Sequence, residues 1–163
     1  MVITQKTAMK VNTARFMEEL KKENSNMLSE LVKNGLEAEG STCVKIWLNR
    51  DMRTLKVFND GMPFKTAKEF EKLILEIFTT GKNKAKNYGK GFSSVLAEKF
   101  TRVETGHIIA SFHSWDNIEI KDYSQDGNVD FVEGTTVMVT LREDSPLMLT
   151  GDVDHEVFLS RLR

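Results

Sequence analysis

The sequence predicts a single α+β domain, a two-layer sandwich in which helices cover one face of a mostly antiparallel sheet. Two observations predict this fold class. Apolar residues recur at helical spacing through much of the first hundred residues, and they alternate with polar residues through most of the stretch from 102 to 141. Helices that come first and strands that come last within one unit are typical of such a sandwich.

Four helical patterns are predicted before residue 101. The first covers 11–22 and the second covers 24–39. A capping box at Thr66–Glu69 begins a third helix, which ends near Phe78, and a short amphipathic pattern covers 92–100. The apolar side of the second helix is formed by Met27, Leu28, Leu31, Val32 and Leu36.

Alternation of apolar and polar residues predicts a hairpin and then four strands. The hairpin pairs Val44–Leu48 with Leu55–Phe58. Glycine or Asp/Asn turns separate the later strands, which are predicted at 102–105, 108–115, 118–123 and 135–141. The tail is predicted to add a short helix around 156–162.

Length, charge and cysteine content limit the class of protein. The chain has 163 residues, a net charge of −1 and a single cysteine, Cys43. We expect one domain over 1–163, with a core at about 11–144 and a C-terminal extension at 145–163. A lone cysteine excludes an internal disulfide and fits a reducing, cytoplasmic location. No apolar run approaches the roughly 20 residues of a membrane span, so we expect no membrane partner.

The helix at 24–39 bears the first candidate site. Glu30 and Asn34 are four residues apart and therefore share one helical face. There a carboxylate could polarise a water molecule, while an amide oxygen could ligate Mg²⁺. The alternative is an ordinary solvated polar face.

A second candidate lies where the hairpin ends, at Asn59-Asp60-Gly61. Gly61 allows close approach of a ligand to the backbone, and the Asn59 side-chain oxygen could accept a hydrogen bond from an exocyclic amine such as that of adenine. A plain Asn-Asp-Gly turn is the alternative.

Two further segments suggest ligand contacts. Residues 79–91 hold three glycines and four lysines without an acidic residue, which predicts a mobile loop. The loop ends in Gly89-x-Gly91, directly before a helical pattern. The free backbone N–H groups at the start of a helix can bind phosphate. The alternative is a flexible linker. Thr135, at the start of the last predicted strand, could support the residue that contacts the nucleotide base. The alternative is that threonine occurs there only because it is favoured in β-strands.

In order and spacing these four segments resemble the nucleotide-binding motifs of the GHKL superfamily, which includes gyrase-type topoisomerases, heat-shock chaperone ATPases, mismatch-repair ATPases and histidine kinases. The similarity runs from about Met27 to Leu141. It implies a Bergerat fold that holds ATP and Mg²⁺ between helices and a mobile ATP lid. Different stretches resemble different branches, so the subfamily stays open.

The resemblance also implies roles for individual residues. Glu30 would be the general base and Asn34 the Mg²⁺ ligand, while Asn59 would replace the usual aspartate that contacts the adenine amine. Thr135 would support Asn59. The remaining nucleotide contacts implied are Gly61, Met62, Lys82, Gly89, Lys90, Gly91 and Phe92. Pro63 departs from the family pattern by replacing a second glycine.

Three functions fit these expectations. The first is a stand-alone regulatory ATPase with slow hydrolysis, and the second is a serine/threonine protein kinase acting in trans, like the anti-sigma-factor kinases. The third is a catalytically silent nucleotide-binding interaction protein. We expect ATP or ADP and one protein as partners and no nucleic acid, since the lysines at 82 to 90 already suit phosphate. Trp47 and eight methionines fit either a homodimer surface or core filling.

Overall fold

The computed structural model describes residues 2–7, 27–72, 94–114 and 116–149. Seven strands form one antiparallel sheet and the described helices are few, so the chain has a mixed α/β fold dominated by its sheet. The strands are β1 (Ile3–Thr7), β2 (Val44–Asn49), β3 (Thr54–Asn59), β4 (Phe100–Gly106), β5 (Ile108–Ser114), β6 (Asn117–Asp122) and β7 (Val132–Thr140). Across the sheet their order is β1-β6-β5-β4-β7-β3-β2.

Helix α1 spans Met27–Glu37, which confirms the helix predicted at 24–39 within the described residues except for its last two residues, 38 and 39. A second helix, α2, is described over 67–72, and α3 is a single turn at Pro146–Leu149 that the sequence did not predict. Four predictions lie outside the described residues: the helix at 11–22, residues 73–78 of the third helix, the loop at 79–91 and the tail helix at 156–162.

One face of the sheet is buried, and alternate residues of its strands form the core. Helix α1 adds its apolar side to this core. The strand contribution consists of Leu55, Val57, Val103, Ile108, Ala110, Phe112, Ile118, Ile120, Val137 and Val139. Leu36 was placed on the apolar side of α1, but it is exposed because the last turn of α1 meets the sheet through Gly35.

The helix predicted at 92–100 is wrong in extent. Within the described residues it is reduced to one 3₁₀ turn, Ser94–Ala97, and β4 already begins at Phe100. The Lys99 N–H donates to the carbonyl of Thr140 on β7 at 3.1 Å. The backbone therefore pairs with β7 at the point where the amphipathic pattern alone predicts a continuing helix.

A buried carboxylate fixes the chain just after this 3₁₀ turn. Glu98 accepts hydrogen bonds from the Arg142 N–H at 2.8 Å and from the Ser145 hydroxyl at 2.7 Å. Both donors follow the end of β7, so Glu98 joins the entry of β4 to the exit of the last strand.

The predicted helix start at Thr66 is confirmed, but only half of the capping box forms, because Glu69 bonds the residue before the N-cap. The Thr66 hydroxyl accepts the Glu69 N–H at 3.1 Å, and the Glu69 carboxylate accepts the Lys65 N–H at 3.1 Å. A carboxylate on the sheet adds a further bond, because Asp122 accepts the Ala67 N–H at 3.4 Å. The beginning of α2 is therefore anchored to the end of β6.

Strand β1 was not predicted from the sequence. It pairs with β6 at one edge of the sheet, with Ile3 opposite Asp122 and Thr7 opposite Ile118. The Gln5 side chain also bonds to Glu71 of α2. None of the helices in the described residues has the length and apolarity needed to cross a membrane.

Strand β7 contains one backbone position that only glycine fits. Gly134 has φ of +72°, and a β-carbon added there would lie 2.0 Å from the carbonyl oxygen of Asn59 on β3. The close contact is with backbone, which cannot rotate away as a flexible side chain can. Gly134 therefore fixes how closely β7 approaches the end of β3.

We expect Gly134→Ala to lower the free energy of unfolding by roughly 2–4 kcal/mol, from backbone strain and overpacking together. Gly40→Ala is the matched control, since Gly40 has a similar φ of +74° but nothing within 4 Å of an added β-carbon. Gly40→Ala should lower the free energy of unfolding by only about 1 kcal/mol. Urea denaturation measures both values, and equal costs would contradict the close approach.

Candidate functional site

Helix α1 makes its closest contact with the sheet at Gly35. A β-carbon on Gly35 would lie 3.0 Å from Cγ2 of Val44 and 3.2 Å from Cβ of Asn59. The helix therefore lies directly over the start of β2 and the end of β3. Asn34, the residue before Gly35, is brought to the strand end that holds Asn59.

Asn34 is buried, with 7 % of its surface exposed, although its side chain is polar. Among the described residues its Nδ2 has no hydrogen-bond partner, and the other buried side-chain atoms without one are on His107 and Arg142. Leaving a buried amide donor unpaired costs about 1–3 kcal/mol. Such a group indicates a place where an acceptor from a ligand would be stabilised.

Asn59 begins a tight turn against the end of α1. Its Oδ1 accepts the Gly61 N–H at 3.0 Å, and a β-carbon on Gly61 would lie only 2.7 Å from Cβ of Ala38. The Met62 N–H then donates to the carbonyl of Glu39 at 2.7 Å, while the Met62 side chain stays exposed. The turn and the helix end thus hold each other, and Asn59 is 8 % exposed.

Asp60 fixes the same turn from its solvent side. Its carboxylate accepts the N–H groups of Thr42 at 2.7 Å and Cys43 at 2.9 Å, and it also bonds the hydroxyl of Thr42. The Thr42 hydroxyl, followed by the backbone N–H groups, holds the pKa of the Asp60 carboxyl well below its ordinary value. Asp60 therefore joins the loop before β2 to the end of β3 through its charged form.

A row of buried polar side chains runs across the sheet from Asn59. Thr135 on β7 lies opposite Asn59, and Thr105 on β4 lies opposite Thr135. Thr135 is 8 % exposed and Thr105 is fully buried, at 0 %. In a face that is otherwise mostly apolar, these three side chains form a polar strip at the carboxyl end of β3.

The burial of the two threonines favours one direction for the hydrogen bond between them. Thr105 Oγ1 accepts the Phe64 N–H at 3.0 Å and lies 2.9 Å from Thr135 Oγ1. Among the described residues the proton of Thr105 has no other acceptor, and leaving it unpaired at a fully buried position would cost about 1–3 kcal/mol. Either hydroxyl could donate, but donation from Thr105 leaves the unpaired proton on Thr135, which is the less buried of the two, and is therefore favoured.

The structure brings some of the predicted site residues together. Asn59, Gly61 and Thr135 lie together at the end of β3, and Met62 follows in the same turn. Asn34 lies on α1 next to Gly35, where the helix approaches Asn59. Glu30 is half-buried one turn before Asn34 on α1. The other predicted contacts, Lys82, Gly89, Lys90, Gly91 and Phe92, lie outside the described residues.

Sequence reasoning missed Thr105 and the roles of Asp60 and Gly134. One signal was present for Thr105, since it has the same strand parity as Val103, which predicts an inward polar side chain. The contact of Thr105 with Thr135 was not predictable in this way, because it depends on β4 and β7 being neighbours.

Neither a scan against protein-family models nor a search of curated proteins finds a match to this chain.

We expect Asp60→Asn to destabilise the protein at neutral pH and to lose this effect in acid. The folded pKa lies below the ordinary value of about 3.9, so the stabilisation is complete above that value and is lost as the pH falls through the folded pKa. The difference in melting temperature between the two proteins should stay constant from about pH 5 to 8 and shrink below about pH 4.

Asp51→Asn is the control, since Asp51 is exposed in the turn between β2 and β3. It should change the melting temperature little at any pH. A difference between Asp60→Asn and the unaltered protein that persists unchanged at low pH would contradict the role of the Asp60 charge.

Proposed function

We propose that this chain is an ATP- and Mg²⁺-binding domain of the GHKL type, with the two-layer Bergerat sandwich and ATP lid, and that it acts as a regulatory ATPase with slow hydrolysis. The observation that supports this most is the unpaired amide of Asn34. It is buried on α1 next to Gly35, where the helix approaches Asn59, and this supports a ligand held between the helix and the strand end.

On the base side, the proposed contacts are Asn59, Gly61, Met62 and Thr135. The Asn59 oxygen keeps a second lone pair beyond the one that accepts the Gly61 N–H, so it can still accept from an exocyclic amine. Gly61 has no β-carbon to meet Ala38, so the turn that positions Asn59 can pack against the end of α1. The exposed thioether of Met62 offers a flexible apolar surface for a purine ring.

On the phosphate side, Asn34 fits both charges that a Mg²⁺ nucleotide presents. Its Oδ1 suits a hard cation, and its unpaired Nδ2 suits a phosphate oxygen. Bound Mg²⁺ would neutralise the phosphate charge and orient the terminal phosphoryl group. In this proposal Lys82, Gly89, Lys90, Gly91 and Phe92 belong to the lid and close over the phosphates.

Glu30 is the proposed general base. It lies one helical turn before Asn34 and is half-buried, so its carboxylate shares the side of α1 that faces the phosphates in this proposal. The carboxylate would accept a proton from water as that water attacks the terminal phosphorus. If the acceptor were a hydroxyl of another protein, the same carboxylate would serve a kinase.

We expect Asn34→Leu to stabilise the nucleotide-free protein by about 1 kcal/mol, because it removes a buried unpaired donor. The same change should weaken binding of a non-hydrolysable ATP analogue with Mg²⁺ by roughly tenfold or more. Thermal unfolding and calorimetric titration with and without Mg²⁺ measure the two effects.

Lys33→Leu is the control for Asn34→Leu, because it places the same side chain at an exposed position of α1. It should leave the affinity unchanged. If Asn34→Leu bound the analogue with full affinity, Asn34 would not belong to the site. If the unaltered protein did not bind the analogue at all, the proposed function would be wrong.

We expect Glu30→Gln to lower ATP turnover by roughly 10²-fold while leaving the affinity for the analogue almost unchanged. Glu37→Gln, an exposed glutamate on the same helix, should hydrolyse ATP at the normal rate. Release of labelled phosphate follows the reaction. Label on a second protein in a cell extract would favour the kinase, and normal turnover in Glu30→Gln would exclude Glu30 as the base.

A further inference from the structure

We propose that Thr105, which lies beneath the base side of the site, determines which purine the site accepts. Thr105 is a positioning residue, because it acts through the hydroxyl of Thr135 and is itself fully buried. The proposal rests on the function proposed above and names the base selectivity of that site.

The first step is the direction of two hydrogen bonds, the first fixed by its N–H donor and the second inferred from burial. The Phe64 N–H occupies the acceptor side of Thr105 at 3.0 Å, and Thr105 uses its single proton on Thr135 at 2.9 Å. Thr135 is then an acceptor toward Thr105. Its own proton has no partner among the described residues, so Thr135 presents a donor to the ligand side.

The second step is the position of that donor. Thr135 and Asn59 are directly opposite each other on neighbouring strands, and both face the buried side of the sheet. Side chains in such a pair have Cβ atoms about 4.5–5.5 Å apart. They can therefore contact neighbouring atoms along one edge of a purine.

The third step is the chemistry of that edge. Adenine has an exocyclic amine, a donor, beside a bare ring nitrogen, an acceptor. Guanine has the reverse, a carbonyl oxygen beside a protonated ring nitrogen. A fixed donor from Thr135 satisfies the ring nitrogen of adenine, whereas in guanine it meets another donor and both are left unpaired.

Asn59 alone discriminates poorly between these two edges. Its amide has both an oxygen acceptor and a nitrogen donor, so it can match either base. An aspartate at this position would offer only acceptors. With Asn59 in place, the polarity that Thr105 imposes on Thr135 becomes the main source of selectivity.

The test compares binding of three nucleotides with Mg²⁺: a non-hydrolysable ATP analogue, its guanine counterpart, and 1-deaza-ATP, in which C–H replaces the ring nitrogen. The unaltered protein should favour the ATP analogue over each of the others by roughly tenfold. Thr105→Val should reduce both preferences to near equality, while Thr105→Ser, which keeps the hydroxyl, should retain them.

Thr101→Val is the matched control, because Thr101 is also buried on β4 but its hydroxyl contacts the carbonyl of Val95. It should keep both preferences. If Thr105→Val weakened all three nucleotides alike, its role would be structural only and the proposal would be overturned.

The unaltered protein separates this proposal from the function on which it rests. Equal binding of ATP analogue, guanine analogue and 1-deaza-ATP would overturn the role of Thr105 while leaving nucleotide binding intact. Absence of binding to any of them would overturn both. Because these measurements need no variant, equal binding would overturn the proposal even if Thr105→Val does not fold.

Discussion

The close approach of helix α1 to the ends of two strands is the constraint on which the rest of the site depends. At Gly35 and Gly61 the space between helix, strand and turn has little room for more than a hydrogen atom, since added β-carbons would lie 3.0 Å from Val44 and 2.7 Å from Ala38. Any larger side chain would push α1 away from the sheet. The part of α1 that holds Asn34 would then move away from the end of β3, and the turn that follows β3 would lose its support.

Several bonds hold this approach from both sides. The carbonyl of Glu39 accepts the Met62 N–H at the helix end, and the Asp60 carboxylate binds the loop that leads into β2. Polar groups therefore fill a region in which apolar side chains would have given a lower free energy. Natural proteins commonly lose stability in this way where a ligand must be recognised, because an unpaired buried amide is costly until its partner binds.

Local patterns in the sequence predicted much of this arrangement. Helical spacing located α1, and strand alternation located β3, where Leu55 and Val57 place Asn59 on the buried face. Three features were beyond such patterns. The strand pairing of Ile3 with Asp122, the contact of Thr105 with Thr135, and the early end of the 3₁₀ turn all depend on which distant segments become neighbours. The spacing of residue types along the chain does not show which distant segments will pair.

The position of β1 at the rim of the sheet has a consequence for how the protein tolerates proteolysis. Residues 2–7 occupy the hydrogen-bonding groups along one side of β6, whose Ile118 and Ile120 belong to the core. Cleavage after Thr7 would leave those backbone groups unpaired beside an apolar strand, and exposed edges of this kind recruit strands from other molecules. A clipped chain would therefore tend to aggregate, even though every described residue of the candidate site would still be present.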